Sequence, residues 1–282
     1  MNNFVKRTLS GFLFVTLIVG SILLSYYTFV LVFAIISGWS ICEFHKLSNL
    51  QPTVNVNSLF GIIGAVLLFI CSFLYTSGIS RNSIYLLYGI YIVLVLIFEL
   101  YQQKENPFHN WAYFILGQIM IALPFSLLNF ILFIGNKWQP LLYDKWQPLL
   151  MLSLFVTIWV NDTGAYLIGV TLGKHRMFER ISPKKTWEGF IGGALAALLS
   201  GYIFSMFIPQ ISLIHWLIFS EIIVIFGTFG DLIESLMKRT VDVKDSGKVI
   251  PGHGGLLDRF DSMLLAAPVI FIYLSFLFDQ SH

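Results

Sequence analysis

Charge is what this 282-residue chain has least of. Charged residues make up 11% of it, against about 25% in soluble domains. With a mean hydropathy of +0.80, that scarcity excludes an ordinary water-soluble fold. Net charge is only +2, so no nucleic-acid partner is implied. Cysteine is nearly absent. Cys42 and Cys71 lie alone in apolar runs, which gives neither a disulfide framework nor a metal quartet. Both read as small buried hydrophobes. Aromatics are plentiful, but 27 Phe, 12 Tyr and 7 Trp suit lipid-facing surfaces and interfacial belts.

What fills the chain is apolar sequence in runs of about 20 residues, the length that crosses a bilayer as a helix. The expected fold is an all-α polytopic membrane protein with about nine transmembrane helices. The spans are placed at 8–25, 27–43, 58–77, 83–101, 111–135, 150–172, 187–208, 213–236 and 260–278. Pro124 is expected to kink the fifth, which neighbouring helices tolerate. Lys6 and Arg7 before the first run could open a secretory signal, but no small-x-small cleavage site follows, so a retained helix is expected. Lys137–Leu142 recurs as Lys145–Leu150 and reads as a local duplication in a loop. The whole chain reads as one integral-membrane domain. Residues 1–150 carry little that is specific, and 151–282 hold the catalytic helices and charged loops.

With the N-terminus inside, only Arg81, Lys137 and Lys145 fall outside, and the other 14 of the 17 Lys and Arg fall inside. The positive-inside rule therefore places both charge-rich loops in the cytoplasm.

Three polar groups interrupt the apolar text. Asn161 and Asp162 lie inside the sixth span, where an acid costs about 2.5–3.5 kcal/mol to insert. Asp162 should face a cavity or the bundle interior. A plain helix–helix hydrogen bond is the alternative. The second group is the basic loop from Gly173 to Gly189. Ser182 before Pro183 looks like a helix N-cap, with first-turn amides free for an anion and Lys184 and Lys185 beside them. A loop that only fixes topology or touches anionic headgroups is the alternative.

The third group, Gly227 to Ser262, holds six acids and five bases. Asp231, Glu234, Ser235 and Lys238 recur at i, i+3, i+4 and i+7 and so share a helix face. Asp258 and Asp261 repeat that spacing at the start of the ninth span. Pro251-Gly-His-Gly-Gly255 turns the chain between them. Carboxylate-bearing helix ends joined by a basic, Gly-rich connector suit Mg²⁺ and phosphates. His253 reads equally as a turn histidine bonded to its own loop. Glu43 and Glu99 read as interfacial acids. Glu221 has no assigned role.

Ser235-Leu-Met-Lys-Arg239, Lys244-Asp-Ser-Gly247 and Ile250-Pro-Gly-His-Gly-Gly-Leu-Leu-Asp-Arg-Phe-Asp261 together resemble the signature of the phosphatidate cytidylyltransferase (CDP-diacylglycerol synthase) family. Ser182-Pro-Lys-Lys-Thr186 with Glu188 resembles a second block of that family, and Asn161-Asp162 a third. The resemblance implies that CTP and phosphatidate react to CDP-diacylglycerol and pyrophosphate with Mg²⁺. It implies Asp231 and Asp258 as Mg²⁺ ligands, and a second cation. Lys238, Arg239, Lys244, Lys184 and Lys185 become candidates for phosphate contacts. Asn161, Asp162, Ser182, Thr186, Glu188, Ser235, His253, Gly254, Gly255, Arg259 and Asp261 become candidates for substrate binding. His253 need not act as a base, because phosphatidate is already ionised at pH 7. A homodimer in a bacterial inner membrane, with its active site facing the cytoplasm, is the expected setting. The rival enzyme is a CTP-dependent polyprenol or phytol kinase, which would release CDP. A transporter is disfavoured because no inverted repeat is seen, and a non-catalytic lipid scaffold would not need both acid pairs.

Overall fold

The structure is a computed structural model and describes residues 3–134, 146–247, 249 and 254–279. The first copy of the duplicated loop and His253 lie outside the described residues. Among the described residues, eight helices are long and apolar enough to cross a membrane, and a shorter apolar helix covers Thr8–Leu24. The arrangement matches the nine expected spans. They run as α1 (Asn3–Leu24), α2 (Tyr26–Ser48), α3 (Ser58–Thr76), α4 (Tyr85–Leu100), a fifth span in two parts, α7 (Pro148–Leu172), α8 (Trp187–Phe207), α9 (Leu213–Thr240) and α10 (Leu257–Asp279). Lipid takes the place of water on the outer surface, so exposed Leu86, Ile90, Leu195 and Ile214 carry no solvation penalty there.

The fifth span is α5 (Pro107–Gly117) and α6 (Leu123–Leu132), joined by a π-helical turn at Gln118–Ala122. Pro124 sits in the first turn of α6. A proline has no N–H and crowds the carbonyl four residues back, so the helix widens by a turn just before it. Two spans outrun expectation. α2 continues to Ser48, because Asn49 closes it and bonds Val56 in both directions (2.7 and 2.9 Å). α9 continues to Thr240, which keeps Lys238 and Arg239 on the helix.

The fold is not wholly helical. Arg176–Phe178 (β1) and Ser182–Thr186 (β2) pair antiparallel, with Arg176 opposite Thr186 and Phe178 opposite Ser182. This corrects the reading of Ser182 as a helix cap. Thr186 has the extended backbone of an N-cap, and its Oγ1 accepts from Gly189 N at 3.1 Å. Pro183 lies in a two-stranded ribbon, where an N–H is not required of every residue.

α7 packs along α8, α8 against α9, and α9 along α10. α10 also meets α2 and α6, so the two halves of the chain share one interior. Phe260 is the junction. Its ring lies 5.3 Å from Phe125, 6.1 Å from Phe155, 6.2 Å from Phe33 and 5.7 Å from Phe14. A ring buried among four others has little freedom. Its neighbours on the chain, Arg259 and Asp261, are held in register with it. At Gly230 a β-carbon would overlap the Asp261 carbonyl oxygen. Glycine there lets α9 approach α10 closely enough for their acids to meet. Cys42 and Cys71 are both free thiols.

Candidate active site

A cavity of about 350 Å³ opens where α7, the β-hairpin, α9 and α10 converge, a size that suits a small ligand. Asn161 and Asp162 line it from α7, Lys184 and Lys185 from β2, Asp231 from α9 and Ser262 from α10. Ser182 and Thr186 also border it. The three polar groups of the sequence are thus walls of one cavity. Asp162, read as facing a cavity or the bundle interior, lines this cavity. Asn161 beside it is buried and donates to Asp162 Oδ1 at 3.5 Å.

Lys185 joins the hairpin to α9. Its Nζ lies 2.7 Å from Asp231 Oδ2 and donates to the Thr228 carbonyl at 3.4 Å. Ser235 Oγ donates to the other Asp231 oxygen at 3.1 Å, as residues i and i+4 on one helix face should. One carboxylate oxygen from each of Asp231, Glu234 and Asp261 lies within 4.8 Å of the others. Asp261 also accepts from the Ser262 backbone N–H at 2.5 Å and its hydroxyl at 3.2 Å. Three carboxylates this close repel unless positive charge lies among them. The donors are all hard oxygens, which is what Mg²⁺ takes from a protein.

Asp258 has a different environment. Its carboxylate takes the Lys238 ammonium at 2.7 Å, the Ser246 N–H at 3.0 and 3.2 Å, and the Gly255 N–H at 2.8 Å. Lys238 also pairs with Glu234. The Lys238, Glu234 and Asp258 side chains are 12%, 2% and 7% exposed. They form a buried ionic triad beside the three-acid cluster. Asp258 holds the connector, and Asp261, one helical turn on, stands with Asp231.

Other sequence candidates lie off the cavity wall. Glu188 reaches back to the loop before the hairpin. It accepts from the Lys174 and His175 backbone N–H groups at 3.1–3.3 Å and meets His175 Nδ1 at 2.5 Å. Arg239 Nη1 donates to the Val243 carbonyl at 3.4 Å. Lys244 is exposed on the connector. Arg259 lies within electrostatic reach of Asp162. Gly254 adopts φ +89°, a left-handed backbone that favours glycine, and Gly255 spends its N–H on Asp258.

The sequence reading missed Glu43. It is 2% exposed on α2, with its carboxylate turned onto the connector and the start of α10. Its Oε2 accepts from Ser246 Oγ at 3.1 Å and from Leu257 N at 2.9 Å. Only an acid embedded in an otherwise apolar run signalled it. Glu99 is likewise buried, bonded by Asn110 Nδ2 at 2.6 Å and by Lys104 at 3.4 Å.

Comparison with known proteins gives the family. The model of the cytidylyltransferase family matches residues 5–277. A phosphatidate cytidylyltransferase of Bacillus subtilis (strain 168) is 36% identical over 226 residues, covering 77% of this chain and 79% of that protein. One from Staphylococcus haemolyticus is 36% identical over 208 residues, 66% of this chain and 78% of its own length. One from Staphylococcus saprophyticus is 46% identical over 125 residues, 44% of this chain and 48% of its own.

Proposed function

The chain belongs to the cytidylyltransferase family, and on that premise we propose that it transfers CMP from CTP to phosphatidate. The products are CDP-diacylglycerol and pyrophosphate. The observation that carries this reading is the single cavity that gathers Asp162, Lys184, Lys185 and Asp231 from separate parts of the chain.

A phosphatidate phosphate oxygen attacks the α-phosphorus of CTP. The bond from that phosphorus to the bridging oxygen breaks in line, and pyrophosphate leaves with the electron pair. No strong base is needed, because the attacking phosphate is ionised. The barrier is largely repulsion between two polyanions, so positioning and charge neutralisation dominate. Lys184 and Lys185 supply positive charge at the cavity wall. Lys185 exchanges Asp231 for a substrate phosphate when CTP enters. Asp231 and Asp261 are the pair that would hold Mg²⁺, with Glu234 behind them. Held by those carboxylates, Mg²⁺ would supply positive charge to offset that of the reacting phosphates. Asp258, which the resemblance also implies as a ligand, holds Lys238 and the connector in this structure. The lipid enters from the bilayer and presents its headgroup at the membrane surface.

The test is purified protein with labelled CTP, phosphatidate and Mg²⁺. Expected products are labelled CDP-diacylglycerol and stoichiometric pyrophosphate, both abolished by EDTA. Release of CDP with a phosphorylated lipid alcohol would favour a kinase and sink this reading.

The site belongs on the cytoplasmic side of a bacterial inner membrane, an assignment the Lys and Arg distribution supports. Asp245 is exposed on the connector, whereas Ser246 beside it is buried. In a background with Cys42 and Cys71 replaced by serine, Asp245→Cys should resist an impermeant maleimide in intact cells and react after lysis. Labelling of intact cells would reverse the topology.

A further inference from the structure

Glu43 stands in the half of the chain that carries no sequence signature, yet it reaches the centre of the C-terminal machinery. It lies on α2, 2% exposed. One of its oxygens is shared by the Ser246 hydroxyl (3.1 Å) and the Leu257 backbone N–H (2.9 Å). Leu257 is the first residue of α10. Its N–H is one that a helix leaves without an internal partner, so a carboxylate 214 positions away does the work of a local cap. The positive end of the helix favours a negative group there. The other oxygen of Glu43 lies against Gly247, where a β-carbon would overlap it. A β-carbon at Gly255 would overlap Oε2 and the Ser246 hydroxyl. Both edges of the connector are therefore moulded onto this one carboxylate.

Asp258 grips the same segment from the opposite side. It accepts from the Ser246 and Gly255 N–H groups and takes Lys238 Nζ at 2.7 Å. Lys238 passes the linkage to Glu234, which stands with Asp231 and Asp261. A continuous polar path thus runs from Glu43 through Ser246, Asp258, Lys238 and Glu234 to the acids at the cavity. A buried carboxylate is costly unless hydrogen-bonded, and charge-assisted bonds are the strong ones. That cost makes the grip specific to one connector geometry.

We propose that Glu43 is a positioning residue of the active site: it holds Ser246 and Leu257 in place, and so fixes where Asp258, Lys238 and the cavity acids stand. The proposal rests on the cytidylyl-transfer reading only for its kinetic consequence.

The test uses the full chain in lipid nanodiscs, as wild type, Glu43→Ala, Glu43→Gln and Gly247→Ala. Glu43→Ala should lower kcat about 10–100-fold, the usual loss for a group that orients a metal site from behind. It should raise the Mg²⁺ concentration for half-maximal rate and leave KM for phosphatidate within about 3-fold. Glu43→Gln keeps a carbonyl oxygen for Leu257 N–H and should fall between wild type and Glu43→Ala. Gly247→Ala attacks the contact from the connector side and should reproduce the Mg²⁺ shift with Glu43 intact. Hydrogen–deuterium exchange needs no substrate. It should quicken at 243–247 and 254–258 in Glu43→Ala and stay unchanged in α3 and α6. Wild-type kcat and Mg²⁺ dependence in Glu43→Ala would overturn the proposal. So would a Glu43→Gln as impaired as Glu43→Ala, or exchange that quickens equally across α2, α3 and α6, since the last marks a mere packing role. Should the wild type form no CDP-diacylglycerol, the reaction falls, and the exchange data alone decide the pinning.

Discussion

Asp231→Asn should reduce CDP-diacylglycerol formation about 1,000-fold or more, the loss expected when several kcal/mol of charge stabilisation leave the transition state. The side chain is nearly isosteric, so insertion and purification should be normal. The Lys185 pair it weakens is partly exposed, with side chains 26% and 33% accessible, and such pairs contribute little to stability. Saturating Mg²⁺ should not rescue it. Asp261→Asn should behave the same way, since its carboxylate stands in the same cluster. Asp258→Asn should differ in kind. It would leave Lys238 without one partner and weaken the grip on Ser246 and Gly255. Activity should fall together with thermal stability. Rates and melting curves across an Mg²⁺ titration separate the two behaviours. Near-full activity of Asp231→Asn at saturating Mg²⁺ would remove Asp231 from the metal site.

Lys238→Met should be the most destabilising of the polar substitutions. The ammonium lies between Glu234 and Asp258, whose side chains are 2% and 7% exposed. Removing it buries two carboxylates without their counter-charge. Breaking a buried ion pair from one side costs about 3–5 kcal/mol, which corresponds to a fall on the order of 10 °C in the melting midpoint. The desolvation cost belongs to the stranded acids, so Lys238→Met with Glu234→Gln and Asp258→Asn should regain much of the loss without regaining activity. Lys238→Arg should retain most of the stability, because the charge persists. A Lys238→Met protein that melts with the wild type, followed by its intrinsic fluorescence in detergent, would show that the triad does not act as a unit.

The sequence by itself determined the spans and the polar groups that interrupt them. Hydropathy is a local sum, and the thickness of a bilayer sets how long an apolar run must be, so nine runs were legible without any pairing information. The helical spacing of Asp231, Glu234, Ser235 and Lys238 is local too, and the structure keeps those residues on one helix. The Asn161-Asp162 pair and the Lys184-Lys185 pair announced themselves as polar text in an apolar chain.

Tertiary structure decided which of these groups meet. Asp258 and Asp261 are one turn apart and look equivalent along the chain. The close approach at Gly230 and the anchoring of Phe260 put Asp261 beside Asp231 and leave Asp258 to the connector. Ser182 and Thr186 are both plausible caps by local rule. The pairing of β2 with Arg176–Phe178 assigns the cap to Thr186. Glu43 is the clearest case. Lys46, three residues on, is the partner its sequence neighbourhood offers, but the donors that reach it, Ser246 and Leu257, lie more than 200 positions away. A buried carboxylate is tolerable only where donors converge on it, and that convergence exists only once the two halves of the chain have packed together.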